Sequence, residues 1–202
     1  MKGQTPRRTF LKAAGLGSVA AASVPALLPS LNALAKSPDN GHRIFVFVSF
    51  SQAPLTSSGV RPRIGMDGAG TFDPDAGWVK GGGNFNLFDQ NKPTPSTTPK
   101  PLITSGFWEA TAFVSYDTKG LGSFGFIQPA ILTVLADFPG IGSGLKLELI
   151  CNVGALGAAG MTGEDEGWQL LDTPAYGSFV PLSPAVGITH LSVLGVSIDR
   201  GA

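Results

Sequence analysis

The chain has 202 residues, with 14 Lys and Arg against 14 Asp and Glu, so its formal net charge at pH 7 is zero. It contains one cysteine, which cannot form an internal disulfide. Beyond the first twelve positions no cluster of basic residues offers a surface for a nucleic-acid backbone. We therefore expect a globular protein that has no disulfide framework and no nucleic-acid partner.

The first 35 residues have the three parts of an export leader. A basic start precedes an uncharged run from 13 to 35, which ends in the small-residue sequence Ala33-Leu34-Ala35. We predict cleavage after Ala35. The alternative is an uncleaved anchor, since the run is long enough to span a bilayer. Pro25, Pro29 and the many Ala, Gly and Ser residues favour a removable signal.

The basic start also contains a more specific pattern. In TPRRTFLKAAG, the adjacent Arg7 and Arg8 are followed by Thr9, Phe10 and Leu11. This stretch resembles the twin-arginine export signal, which carries already folded proteins across the bacterial inner membrane. The resemblance covers the leader alone, and it implies a periplasmic or extracellular protein that meets the membrane only during export. Without the leader, ten Lys and Arg remain against 14 Asp and Glu, a net charge of −4 that again disfavours nucleic acid.

Residues 36–202 are predicted to form a single all-β domain. Apolar and aromatic runs of strand length recur between turn residues, and no window has sustained helical spacing. The candidate strands are 42–50, 60–66, 77–88, 107–116, 124–137, 145–153, 167–171 and 187–198. This set predicts an antiparallel β-barrel, with a two-sheet β-sandwich or jelly roll as the alternative.

Three segments allow more detailed predictions. The glycines at 81–83 predict a bulge or a tight bend, and the proline-rich stretch 91–101 predicts an exposed loop. In 145–153, one apolar face contains Leu145, Leu147, Leu149 and Cys151, so the thiol is expected in the core rather than at a reactive site.

The candidate strand 107–116 has large apolar side chains on both of its faces, so it is predicted to be covered on both sides over part of its length. One predicted face contains Trp108, Ala110, Ala112, Val114 and Tyr116. The other contains Phe107, Glu109, Thr111, Phe113 and Ser115.

Metal sites have little support in the sequence. His42 and His190 are the only histidines, and no spacing typical of zinc, haem or iron–sulfur ligands occurs. Calcium is the better candidate, because oxygen ligands gather at Asp67, Asp73 and Asp75 and in the acidic run Glu164-Asp165-Glu166. Neither group has EF-hand spacing, and turn chemistry or solvated acid explains both. We expect no cofactor, with calcium as the open alternative.

Catalytic candidates are few. Glu109 and Glu148 both lie in the middle of candidate strands, and two such carboxylates facing one cleft would suit carbohydrate hydrolysis. His190 could join a Ser-His-acid set assembled in space. Exposed or salt-bridged positions explain the two glutamates more simply. A cofactor-free enzyme, either such a hydrolase or a barrel isomerase or cyclase, is therefore the alternative function.

Aromatic residues favour binding more directly. Trp78, Trp108, Tyr116 and Trp168 offer flat surfaces for a glycan or a small apolar ligand, and Trp168 is expected at a solvent-exposed edge. Packing in the core is the alternative explanation for each. We expect an exported domain that acts as a binding or structural protein of the cell exterior, and exposed apolar surface on such a domain would allow self-association.

Overall fold

A computed structural model describes residues 42–92, 99–118, 129–152, 162–183 and 185–193. The chain divides into two units, Met1–Ser37 and Pro38–Ala202, and all described residues belong to the second. The predicted leader and its cleavage site lie outside the described residues, as does most of the proline-rich stretch 91–101. No helix in the described ranges is long and apolar enough to cross a membrane.

The described residues form nine strands and no helix. The strands are β1 (Arg43–Gln52), β2 (Pro62–Asp73), β3 (Trp78–Asp89), β4 (Leu102–Thr118), β5 (Ala130–Phe138), β6 (Gly142–Cys151), β7 (Gly167–Thr173), β8 (Gly177–Pro181) and β9 (Gly187–Val193). Each of the strands β1 to β7 pairs antiparallel with the strand that follows it, and β8 pairs with β1, which closes the barrel. The all-β prediction and the closed antiparallel barrel are therefore confirmed.

The wall closes in an unusual way beside β1. One edge of β1 pairs with β2 along its whole length. On the other edge of β1, β8 pairs only with Ser51 and Gln52, and β9 pairs with the residues from Arg43 to Ser49. Both β8 and β9 run antiparallel to β1, so they share one position in the wall; β8 ends at Pro181 and β9 begins at Gly187.

Alternation along the strands places the core inside the barrel. In β6, Leu145, Leu147, Leu149 and Cys151 are buried, as the sequence predicts. Ile150 on the opposite face is buried too, so the carboxyl end of β6 is covered on both sides. This strand shows the period of two because one of its faces points into the barrel along its length.

The predicted faces of 107–116 are only half right. Trp108 and Ala110 are buried as expected, but the register with β5 shifts between Ala110 and Ala112 and again between Phe113 and Ser115. Each bulge adds a residue and reverses the alternation beyond it. Phe113 and Tyr116 therefore pack against the core, whereas Val114 is exposed.

The glycines at 81–83 do not form the predicted bulge. The register between β2 and β3 is the same at Met66–Phe85 and at Ala69–Gly82, although the pairing is interrupted at Asp67 and Gly68 between them. The shift of β3 against β4 falls at Leu87 and Phe88 instead. Glycine is required here for close approach: a Cβ on Gly81 would lie 2.5 Å from the ring of Phe45 and 2.7 Å from the Ala69 carbonyl oxygen. The missing side chains make room for aromatic rings inside the barrel.

Candidate functional site

The interior of the barrel is occupied by large side chains. The largest fully buried ones are Trp108, Trp168, Phe45, Phe72, Phe85, Phe138, Phe179, Ile64, Leu87, Leu132, Leu147 and Leu149. An eight-stranded barrel is only wide enough for side chains or for one small ligand, so these residues fill it as a core.

Two of the four predicted ligand-binding aromatics belong to this core. Trp168 is fully buried, so the expectation that it meets solvent at an edge is wrong; its Nε1 donates to the Ser49 carbonyl oxygen at 3.3 Å. Trp108 is buried as well, and its Nε1 donates to the Asp67 carbonyl oxygen at 2.8 Å. Both indoles satisfy their only polar group within the wall.

The other two aromatics lie at the end of the barrel where β1 begins. Tyr116 is half-buried there, 5.0 Å from the ring of Phe72 and with the Arg43 guanidinium 4.8 Å above its own ring. Burial raises the pKa of the Tyr116 hydroxyl, although the charge and a hydrogen bond of Arg43 act to lower it. Because β1 and β4 are not neighbours in the wall, the Arg43–Tyr116 contact crosses this end of the barrel.

Trp78 lies at the same end, where β3 begins. It packs edge-on against His42, with ring centroids 5.1 Å apart. The His42 Nε2 atom is 3.8 Å from Asp73 Oδ2, and Asp73 Oδ1 accepts the backbone N–H groups of Asp75 and Ala76. This cluster secures the turn between β2 and β3.

The carboxylate candidates lie on the outside of the barrel. Glu109 is exposed, and Glu148 binds Lys146 Nζ at 2.7 Å and accepts a hydrogen bond from Gln169. They flank β5 opposite Asp137 and Thr133, four residues apart. That offset alone is about 13 Å along the strand. The carboxylate pairs of glycosidases lie roughly 5–9.5 Å apart, so the structure does not bring these two together.

His190 lies on a third strand, away from both glutamates. It is half-buried on β9 opposite Val46 of β1, and burial lowers the pKa of its imidazole. Its neighbours Thr189 and Leu191 point into the barrel, so His190 faces outward. The three catalytic candidates thus do not converge on one cleft.

The calcium candidates on β2 are also separated. Asp67 and Asp73 are six strand residues apart, which corresponds to about 20 Å. Asp67 Oδ1 accepts from the backbone and side chain of Asn84, and Asp73 supports the turn that contains Asp75. Within the described ranges, no three His, Cys, Asp or Glu residues are grouped so that they could hold a metal ion.

Cys151 is buried in the core as predicted. Burial, together with the nearby Glu166 charge, raises the pKa of its thiol from 9.0 to about 12, although a backbone hydrogen bond from Leu191 opposes this. The thiolate is the reactive form, so the folded protein presents roughly 1000-fold less of it than a free thiol does.

We expect a thiol reagent such as DTNB at pH 8 to modify Cys151 at least about 1000-fold more slowly in the folded protein than in guanidinium. The rate of absorbance change measures this directly. Equal rates in the two conditions would contradict the buried, high-pKa position.

Glu166 is a residue whose position the sequence did not indicate. The acidic run 164–166 reads as solvated acid, but Glu166 is only 8% exposed. Its Oε1 accepts the Thr189 N–H at 2.8 Å, and its Oε2 accepts the N–H of Asn152. Burial raises the pKa of Glu166 from 4.5 to about 7, against the effect of these two hydrogen bonds.

The outside of β1 and of the β8/β9 wall position carries a second feature that sequence reasoning missed. Five apolar side chains there are exposed, and we call them the apolar patch: Val48, Phe50, Val180, Val186 and Ile188. Val48 (52% exposed) lies directly opposite Ile188 (49%), and Phe50 packs over Gly65 of β2. In the sequence RIFVFVSFSQ of β1, both alternating faces are apolar, which is the signal that could have revealed the patch.

Charged residues flank the patch on β2. Arg63 and Asp67 point outward two residues on either side of Gly65, the glycine beneath Phe50. Arg63 donates from Nε and Nη2 to Gln52 Oε1, and Asp67 accepts from Asn84. The flank of the patch formed by β2 therefore carries a cation and an anion, two residues on either side of Gly65.

Comparisons of the chain with protein-family models, with curated proteins and with solved structures found no match.

Proposed function

We propose that the protein is an exported structural domain of the cell exterior, and that it acts through its outer wall by binding a second copy of itself. The observation that carries this proposal is the apolar patch. Contiguous exposed apolar surface, rimmed by polar residues, is typical of protein–protein interfaces. The interior is filled by its own core, which leaves the outside of the wall as the surface available for binding.

The arrangement of charges favours a second copy over an unrelated partner. In a two-fold dimer, the same surface meets itself, so each residue contact occurs twice. A two-fold axis that passes close to Phe50 and runs across the strands would place Arg63 of each copy opposite Asp67 of the other. Val48 and Ile188 would then be buried between the two copies. Opposite charges at the rim fix the register of such an interface.

Replacing Val48 with lysine is expected to weaken dimerisation by at least roughly 30-fold, which corresponds to about 2 kcal/mol for the loss of a central contact. Val48 is about half exposed, so the lysine is compatible with the folded barrel. Sedimentation velocity over a range of protein concentrations gives the dissociation constants of both proteins.

The matched control is Phe107→Lys. Phe107 is 72% exposed on the outside of β4, so it tests the loss of an exposed apolar group away from the patch. We expect Phe107→Lys to dimerise like the unchanged protein. A protein that stays monomeric at all concentrations would contradict the proposal, and so would equal weakening by both variants.

Export by the twin-arginine route is part of the same proposal. It is supported by the leader sequence around Arg7 and Arg8, and it places the barrel in the periplasm or outside the cell, where a self-associating structural domain would act.

An enzymatic function has less support than binding. Glu109, Glu148 and His190 lie on three different strands and face outward at separate positions. A ligand site at the end of the barrel would depend on Trp78 and Tyr116, which already pack against His42 and Arg43. The side chains of the apolar patch are 37–52% exposed, and the patch therefore favours association as the function.

A further inference from the structure

The barrel has a seam between β7 and β9. Among the strand ladders of the described residues, β9 takes part only in the one with β1. The first residues of β7 are held by side chains instead: Thr189 Oγ1 donates to the Gly167 carbonyl oxygen at 3.1 Å, and Ser51 Oγ donates to that of Trp168 at 2.5 Å. At the start of β7, hydrogen bonds from side chains thus hold the wall together, whereas backbone ladders do so between the other neighbouring strands.

Glu166 stands at this seam and connects three elements. It directly precedes β7, and its two carboxyl oxygens accept backbone N–H groups from Asn152, just after β6, and from Thr189 of β9. Asn152 in turn donates from Nδ2 to the Glu164 carbonyl oxygen and accepts from Thr162 at 2.7 Å. A single buried carboxyl group therefore joins the end of β6 and the start of β7 to β9.

We propose that Glu166 is a pH-sensitive latch, and that ionisation of its buried carboxyl group increases how often β9 opens away from the seam. Opening β9 removes the Thr189 contact and lets water reach the carboxyl group. Local opening of an edge element, independent of global unfolding, is a general property of folded proteins.

The direction of the pH effect follows from linkage. In the closed state burial raises the pKa of Glu166 to about 7, whereas a water-exposed carboxyl group has its ordinary value of 4.5. The closed state therefore binds the proton more tightly, and its advantage is full below pH 4.5 and is lost as the pH rises through 7. The opening equilibrium should increase by up to about 300-fold across this range, tenfold for each unit of pKa difference.

Other titratable groups near the seam act differently. Cys151 on β6 stays protonated over this range because its pKa is about 12. His190 on the outer face of β9 has a lowered pKa, so its charging favours opening at low pH, the opposite direction. Two further acidic residues, Glu164 and Asp165, directly precede Glu166 in the chain. The side chains of β1 at the seam are the neutral hydroxyl groups of Ser49 and Ser51. A variant at Glu166 is needed to isolate its own contribution.

Native-state hydrogen exchange of the β9 amides from pH 4.5 to 8.5, followed by NMR, tests the proposal. We expect their protection factors to fall by up to about 300-fold as the pH rises, and to stay below those of the β5 amides. In Glu166→Gln, which keeps the shape of the side chain and removes its charge, this fall should disappear.

Thr189→Val provides the matched control, because it removes the Oγ1 bond to Gly167 and keeps the backbone N–H that binds Glu166. Its β9 amides should be less protected at every pH and should retain the pH-dependent fall. Equal pH dependence in the unchanged protein and Glu166→Gln would overturn the proposal. Identical protection of β9 and β5 at every pH would overturn it too, since β9 would then open only with the whole barrel.

Discussion

Replacing Trp108 with alanine should lower the free energy of unfolding by about 3–5 kcal/mol, the usual cost of truncating a buried tryptophan. Its ring stacks on Phe138 at 5.9 Å and lies 5.8 Å from Phe47 and 6.4 Å from Phe45. Alanine would leave a cavity among these rings and would leave the Asp67 carbonyl oxygen without its indole donor. Urea unfolding followed by circular dichroism measures the loss.

Trp78→Ala is the matched control for this change. Trp78 is half-buried at the end of the barrel and packs against His42, so its removal creates no closed cavity. We expect a loss of about 1 kcal/mol, within the ordinary range for single substitutions. If the two variants lost equal stability, Trp108 would not be the centre of the core that its contacts indicate.

Gly70→Ala should destabilise the barrel by about 3 kcal/mol, at the upper end of the overpacking range. A Cβ at Gly70 would lie 2.5 Å from Cζ of Phe45 and would collide with the Lys80 carbonyl oxygen. The Lys80 carbonyl belongs to the strand paired with Gly70, so it cannot move without separating β2 from β3. The midpoint of thermal unfolding, compared with that of the unchanged protein, reports the effect.

Gly106→Ala tests whether the cost comes from the backbone collision. A Cβ there would lie 3.1 Å from Cε1 of Phe85, a ring that can shift by a few tenths of an ångström. We expect a change below about 1 kcal/mol. A loss at Gly106 as large as that at Gly70 would show that any added methyl group disrupts the sheet.

The strand content of the fold could be predicted because most strands have one face toward the core. Leu145 to Cys151 show this alternation, and β6 follows it. The faces of β4 could not be derived in the same way, since nothing in the residues near Ala112 and Val114 marks the two bulges that pairing with β5 imposes. The five-residue strand Gly177–Pro181 could not be predicted, because GSFVP is too short to show a period.

The burial of Glu166 and Trp168 was harder to predict, because their hydrogen-bond partners come from distant parts of the chain. Glu166 belongs to an acidic run that is typical of exposed loops, but it is buried and accepts the N–H of Thr189, 23 residues later. Trp168 follows the same run and is fully buried, and its Nε1 donates to the carbonyl oxygen of Ser49, 119 residues earlier. Local patterns contain no information about such partners.

The way β1 is enclosed also determines when the barrel can form during biosynthesis. Its first neighbour, β2, follows within about ten residues, but its second edge is covered only by Gly177–Pro181 and Gly187–Val193. Ser51 can therefore pair with Pro181 only after another 130 residues of the nascent chain have been synthesised. These last two strands must leave the ribosome before the barrel can close. Closure of the barrel therefore follows translation of the other seven strands.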